Sequence, residues 1–296
     1  MKYIIDKNNA DFTVKEFLRK ENISHSLLKR LKKIPNGITV NKKQENVLYR
    51  LKCNDILELE IMDFECDENE HLLPVELPIE IVYEDENLTV VNKSSNMPTH
   101  PSINNYDNTL ANALRFRYKD KPYVFRAANR LDKDTSGLVI TANNSYYASI
   151  VSKAIKEGKV LKKYIAVVAG RLNGEGVIDK PIGRIGKSII KREIREDGEK
   201  AITRYSSLLS CDEASVLELY PETGRTHQLR IHLASIGHPI IGDSLYFEQS
   251  NRIDRQALHC VSMIIDGVGK FYAPIPNDIL NLIRSYFNNE ECIFEN

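Results

Sequence analysis

Between Asp63 and Glu86 the chain carries ten Asp and Glu residues and not one Lys or Arg. The first part of this stretch, DFECDENEHLLPVELP, adds Pro74 and Pro78 and shows no sustained hydrophobic period, so it offers no face to bury and reads as a linker. A chain interrupted in this way must build a separate core on each side. Its length of 296 residues suits a small unit and a larger one, and we expect boundaries at residues 1–62, a linker at 63–78 and a second domain at 79–296. Residues 1–62 hold 13 Lys and Arg against 8 Asp and Glu, and the chain beyond residue 86 holds 28 against 23. The formal net charge of zero therefore hides two mildly basic blocks, either of which could meet phosphate.

Several classes fall away. The 42% hydrophobic content is that of a globular chain, and no apolar run approaches the ~20 residues of a membrane helix, so no membrane association is expected. The opening MKYIIDKNNADFTV turns polar before any long apolar stretch, unlike a secretory signal, which points to the cytoplasm. Five scattered cysteines with no C-x-x-C pair fit reduced thiols and argue against a disulfide framework or a zinc site. His227 and His232 are five apart and do not share a helix face as a metal-binding pair would, so no metal is expected. The Gly-rich nucleotide loops and the G-x-S-x-G elbow are absent, which leaves carboxylates, Arg, Tyr and Lys as the available chemistry.

Ahead of the linker, VKEFLRKENI and SHSLLKRLKK show helical apolar faces at Phe17 and Leu18 and at Leu27, Leu28 and Leu31, with Ser24 or Ser26 placed to cap the second. GITVNKKQENVLYRLKCNDILELEI follows as short strands with turns at residues 41–43 and 54–55. Lys29, Arg30, Lys32 and Lys33 fall on the second helix, as a solvated face or as a surface for nucleic acid. After the linker, IVYEDENLTVVNK reads as two strands around an acidic turn, TLANALRFRYK as a helix and SGLVITANN as a buried strand. SYYASIVSKAIKEGKV then reads as a helix ending near Gly158, KKYIAVVAG, AITRYSSLLS and SVLELYPE as strands, and RTHQLRIHLASIG as a helix closed by Gly237. The pattern is α+β, a long mixed sheet with helices packed on it. RIGKSIIKREIREDGEK, between strands, is either a basic loop able to close over a ligand or an exposed hairpin.

One stretch concentrates the chemistry. NRLDKDTSGL, residues 129–138, sets Arg130 two residues from Asp132 and follows with a Thr-Ser-Gly bend. An Asp can act as a covalent nucleophile when a cation lies beside it and water is kept out. By itself, D-x-D before T-S-G is also an ordinary surface turn.

Four stretches in order, VVNKSSNMPTHPS, NRLDKDTSGLVI, LKKYIAVVAG and ETGRTHQLRIHLASIGHPIIGDSLY, resemble the successive motifs of the RluA/RluD-type pseudouridine synthases, which isomerise uridine to pseudouridine in ribosomal or transfer RNA. The resemblance spans Ile79 to Leu282. Residues 12–60, with S-x-x-L-L-K-R-L and the ITVN turn, resemble a small α/β RNA-binding module first described in a ribosomal small-subunit protein. What this implies is a mostly antiparallel sheet around a central cleft, a monomer, structured RNA as partner (ribosomal first, transfer RNA second) and no cofactor. It implies Asp132 of R-L-D-x-x-T-S-G as the catalytic carboxylate, with Asp134 at a variable position. Arg130 would displace the target base and take its place in the stack. Tyr164 would lie against the extruded uracil, Arg225 of E-T-G-R-T-H-Q-L-R would pair with the catalytic carboxylate, and Leu229 and Thr135 would complete the substrate pocket. Lys29, Arg30, Lys32 and Lys33 would contact RNA, and His100 with Pro101 would form a structural turn. Two departures stand out: Asn129 where the family usually has His, and Lys93-Ser94-Ser95-Asn96 in place of K-P-x-G, which leaves the path of that turn open. A non-catalytic RNA-binding protein on the same fold is one rival reading. A glycoside hydrolase is the other, and would need a second essential carboxylate.

Overall fold

A computed structural model describes residues 1–61, 72–186, 191–247 and 250–287. The N-terminal unit runs β1 (Lys2–Ile4), α1 (Val14–Lys20), α2 (His25–Leu31), β2 (Ile38–Val40), β3 (Lys43–Gln44) and β4 (Ile56–Leu59). α1 begins where Thr13 Oγ1 accepts the Glu16 N–H and the Glu16 carboxylate accepts the Thr13 N–H in return, a reciprocal cap worth about 1 kcal/mol. Ser24, not Ser26, caps α2. Between β2 and β3 the chain turns through Asn41 and Lys42 at φ 50° and 67°, the positive values a tight hairpin needs. The sheet order is β1-β4-β2-β3, and β1, too short to show a sequence period, closes it by pairing antiparallel with β4. Leu18, Leu27 and Leu31 of the helices bury against Ile5, Leu51 and Leu57 in a core of the unit's own.

The second unit runs β5 (Glu80–Glu84), β6 (Leu88–Lys93), α3 (Leu110–Arg117), β7 (Ser136–Ala142), α4 (Ser145–Lys156), β8 (Val160–Ala169), β9 (Glu175–Asp179), β10 (Ile182–Arg184), β11 (Arg192–Ile194), β12 (Ile202–Ser210), β13 (Ala214–Pro221), α5 (Gln228–Ala234), β14 (Leu258–Ile265), β15 (Gly269–Tyr272) and α6 (Asn277–Phe287). Most of the linker, residues 63–71, lies outside the described residues. Its end has no regular structure and is fastened to α3, where Asn112 Nδ2 donates to Leu73 O at 2.8 Å.

Among the described residues one nine-stranded sheet carries this unit, in the order β5-β6-β7-β14-β8-β13-β12-β9 with β15 beside β14. Its pairings are antiparallel except β7 with β14, so the sheet is mixed and mostly antiparallel, in an α+β fold. β7 is buried at every position, as its unbroken apolar run predicts. β14 sits at the sheet's centre although LHCVSMII shows no alternation, because it is covered on both faces. The parallel contact depends on Gly137 (φ 113°), where a Cβ would stand 2.4 Å from the Cys260 carbonyl oxygen. This approach fixes the point at which the chain from residue 129 enters the sheet.

RIGKSIIKREIREDGEK takes the hairpin alternative in its described part, where β10 and β11 pair antiparallel; residues 187–190 lie outside the described residues. Its base is held down by Ile194 and Tyr246 against Ile182, Ala201 and Ile231. Among the described residues no helix is long and apolar enough to cross a membrane.

Candidate active site

Apart from Arg130, each residue from Asn129 to Thr135 is tied to a neighbouring segment. Asn129 Nδ2 donates to Leu138 O at 3.0 Å and its Oδ1 accepts the Ile140 N–H at 2.9 Å, so the side chain clips the loop to the backbone of β7. The Thr99 hydroxyl donates to Leu131 O and accepts the Leu131 N–H, at 3.1 and 3.2 Å. Lys93, almost wholly buried at the end of β6, donates to the carbonyls of Ser94, Met97 and Lys133 at 2.7, 2.7 and 3.1 Å. Burial pushes its ammonium down to about 7, with Asp134 and Asp132 pulling the other way. This one amine sets the path of the KSSN turn, in which Asn96 takes φ 59°, a conformation that Asn tolerates better than most residues. Arg255, clamped by Asp278 at 2.6 and 3.0 Å, donates to Asp134 O at 3.2 Å.

The loop presents Asp132 in a cleft of about 1020 Å³. Arg230 Nη1 donates to Asp132 Oδ2 at 3.2 Å, while the same guanidinium grips the fully buried Asp243 through Nε and Nη2 at 2.7 and 2.6 Å. Burial opposes the charge on Arg230, but the hydrogen bonds and charges of Asp243 and Asp132 outweigh it and raise its pKa. Its guanidinium also lies over the Tyr246 ring, 5.1 Å from the centroid. Two-pronged anchorage on Asp243 leaves the third direction of the planar fork aimed at Asp132.

His227 is the second group beside Asp132, with Nε2 3.9 Å from Oδ2. It occupies the left-handed region at φ 58°, a strained place for a non-glycine residue, and its side chain caps nothing. The Tyr246 hydroxyl accepts the Arg192 N–H at 2.9 Å and lies 2.8 Å from His227 Nδ1, within hydrogen-bond reach. The hydrogen bond at Nδ1 holds the imidazole with its other nitrogen, Nε2, facing the carboxylate. Burial lowers the His227 pKa, Asp132 opposing and Arg230 adding to the shift.

Tyr164 on β8 and Leu229 on α5 line the same cleft and are almost fully buried. Burial, then Cys260 on the adjoining β14, raises the Tyr164 phenol well above its ordinary value, so it stays neutral. Arg130 is exposed at the mouth. Thr135 lies in the wall, where its hydroxyl accepts from Gln256 at 3.1 Å and its N–H bonds Asp132 O at 3.1 Å, contacts that shape the loop. Asp243, the nearby second acid, is wholly buried and doubly bonded, which gives a paired-carboxylate hydrolase nothing to use.

Arg225 requires correction. It precedes α5, stands exposed, and bonds Glu199 and Lys200 O; it does not meet Asp132. Arg230, on the buried helix, takes the place expected of it. Sequence reasoning also missed Asp243, His227 and Tyr246. The available signal was an Arg in the apolar run LRIHLA, since a buried guanidinium requires carboxylates. His100 stacks edge-on against Phe125 at 5.1 Å, and His232 is buried between Thr203 and Lys180 O, both structural roles. Cys53, Cys211 and Cys260 are free thiols, and Cys66 and Cys292 lie outside the described residues.

Comparison with known proteins agrees with this geometry. A family model described as RNA pseudouridylate synthase matches residues 87–235. The uncharacterized RNA pseudouridine synthase YjbO of Bacillus subtilis (strain 168) is 36% identical over 280 residues, covering 92% of this chain and 98% of its own. The ribosomal large subunit pseudouridine synthase D of Vibrio cholerae is 35% identical over 228 residues, 70% of each chain. Among solved structures, human RNA pseudouridylate synthase domain containing 1 superposes with a TM-score of 0.56 at 30% identity, covering 68% of this chain and 84% of that one. With the family model matching half the chain and relatives aligning along most of it, the chain belongs to the RNA pseudouridine synthase family.

Proposed function

We propose that this enzyme converts uridines of ribosomal RNA to pseudouridine, with Asp132 acting on a uridine flipped into the cleft. The observation that carries the assignment is the Asp132 carboxylate held in the cleft by Arg230, itself fixed by Asp243. The isomerisation breaks the bond from the ribose C1′ to uracil N1 and forms one from C1′ to C5. C5 gives up a proton and N1 gains one, so no electrons are gained or lost and only a positioned carboxylate and proton transfer are required. Tyr164 offers the base a flat neutral face, a contact worth about 1 to 3 kcal/mol. Arg130, exposed at the mouth, is placed to fill the gap left in the stack.

Large-subunit ribosomal RNA is favoured because relatives named for that substrate align over most of the chain, and transfer RNA is the alternative. Pseudouridines mapped across total RNA with and without the gene product should differ at large-subunit sites. Asp132→Asn should abolish that difference. Unchanged pseudouridine in the Asp132→Asn strain would sink the assignment.

A further inference from the structure

Two consecutive lysines of β8 face opposite ways and find different surroundings. Lys163 pairs with Glu218 of β13 at 2.7 Å. Lys162 stands half-buried on the strand face that carries Tyr164 and lines the Asp132 cleft, and its ammonium has no hydrogen bond or ion pair with any described residue. Burial lowers its pKa; the group opposing that shift is the Cys260 thiol, which burial itself pushes up to about 12 and so keeps neutral. The cleft supplies no counter-charge either. The two acids among its described lining residues are engaged, Asp132 by Arg230 at 3.2 Å and Glu222 by Arg204 at 2.5 Å. A half-buried cation with no carboxylate beside it is unfavourable in the free protein and is satisfied by an anion that arrives with a ligand. None of the α2 cations Lys29, Arg30, Lys32 and Lys33 lines this cleft, so Lys162 acts apart from the N-terminal unit.

We propose that Lys162 pairs with a phosphodiester flanking the flipped uridine, as a positioning residue that seats the base on Tyr164. The inference rests on the reading of Tyr164 as the face that receives the uracil. Lys162 is two residues from Tyr164, about 6.7 Å along the strand, a separation comparable to that between a base and the phosphate of its own nucleotide. Asp132 acts on Tyr164 and on Lys93 but not on Lys162, so the ammonium stands off from the reacting carboxylate. A phosphate suits this site better than a uracil carbonyl, because its full negative charge neutralises the ammonium while a carbonyl only accepts a hydrogen bond.

The test uses the full chain and a synthetic RNA fragment that the wild-type protein modifies. The RNA is prepared with native linkages, with a neutral methylphosphonate 5′ or 3′ of the target uridine, or with one at a remote linkage. On native RNA, Lys162→Met should raise KM about tenfold and change kcat far less. Lys162→Arg should recover most of that loss, and Lys163→Gln should match wild type. Neutralising the flanking linkage that Lys162 contacts should cost the wild type about the same tenfold, and Lys162→Met should then lose nothing further. With the remote methylphosphonate the full effect of Lys162→Met should remain. The variant should melt at or above the wild-type temperature, because it removes a charge that the free protein leaves unpaired. Lys162→Met with wild-type KM overturns the proposal. So does a tenfold effect that persists on both flanking methylphosphonates, which would assign the ammonium to the base. Failure of the enzyme reading looks different: no RNA fragment would gain pseudouridine with the wild-type protein, whichever linkage it carried.

Discussion

Arg225 and Arg230 stand in one ten-residue stretch, ETGRTHQLRI, yet only the second reaches Asp132. Motif order does not say which of two arginines turns inward; burial does. α5 is buried from Gln228 to Leu233, and an Arg in such a helix is stable only where carboxylates complete its fork. Arg230→Lys keeps the charge but not the three directed contacts, so kcat should fall by about 10²-fold or more. Arg225→Ala, which removes an exposed contact with Glu199, should stay within about threefold of wild type. Steady-state rates on one RNA decide, and equal losses in the two variants would refute this placement. His227 adds a second test. Its Nε2 faces Asp132 while Tyr246 holds Nδ1, so Tyr246→Phe should lower kcat more than it raises KM and should alter the acid limb of the pH profile. A change confined to stability would make the relay merely structural.

Asn129 shows how a local departure from a family pattern is absorbed by an element. Nothing in NRLDKDTSGL reveals that the side chain at 129 would bond the backbone on either side of Val139, because that needs β7 folded back beside it. The strand itself was legible, as were β8 and α4, since each carries a long apolar signal and α4 ends at Gly158 in the left-handed region. β14 was not, because a strand covered on both faces has no period to read. Asn129→Ala leaves the Ile140 N–H and the Leu138 carbonyl without those partners and should cost about 1 to 3 kcal/mol. Urea unfolding checks the stability. The same loosening of the Asp132 loop should lower kcat with little change in KM. An Asn129→Ala protein as stable and as fast as wild type would show that the clip is dispensable.

At the scale of the whole molecule, the described residues build separate hydrophobic cores ahead of the acidic segment and beyond it, while the meeting of α2 with α4 could not be read from either helix. α2 and α4 meet across 115 residues of sequence at Arg30 and Ser145, and each helix alone reads as a solvated basic face. The same limit applied to the histidines, whose sequence positions gave no hint of their burial. His227, His232 and His259 all have pKa values lowered, in each case by burial first, and His259 is pushed down to about 4. An unfolded chain titrates its histidines near 6.5. Above that value both states are neutral and these groups leave stability independent of pH. As pH falls from about 6.5 toward 4 the unfolded state takes up protons first, so stability is lost, by roughly 3 kcal/mol for His259 alone. Melting temperature should therefore fall steadily across that window. His259→Gln keeps a polar group beside the Ser136 hydroxyl, 2.8 Å from His259 Nδ1 in the native protein, but cannot gain a proton. It should start less stable at pH 7 and lose less on acidification, so that the two curves converge near pH 4. Parallel curves would mean that the acid sensitivity comes from other groups.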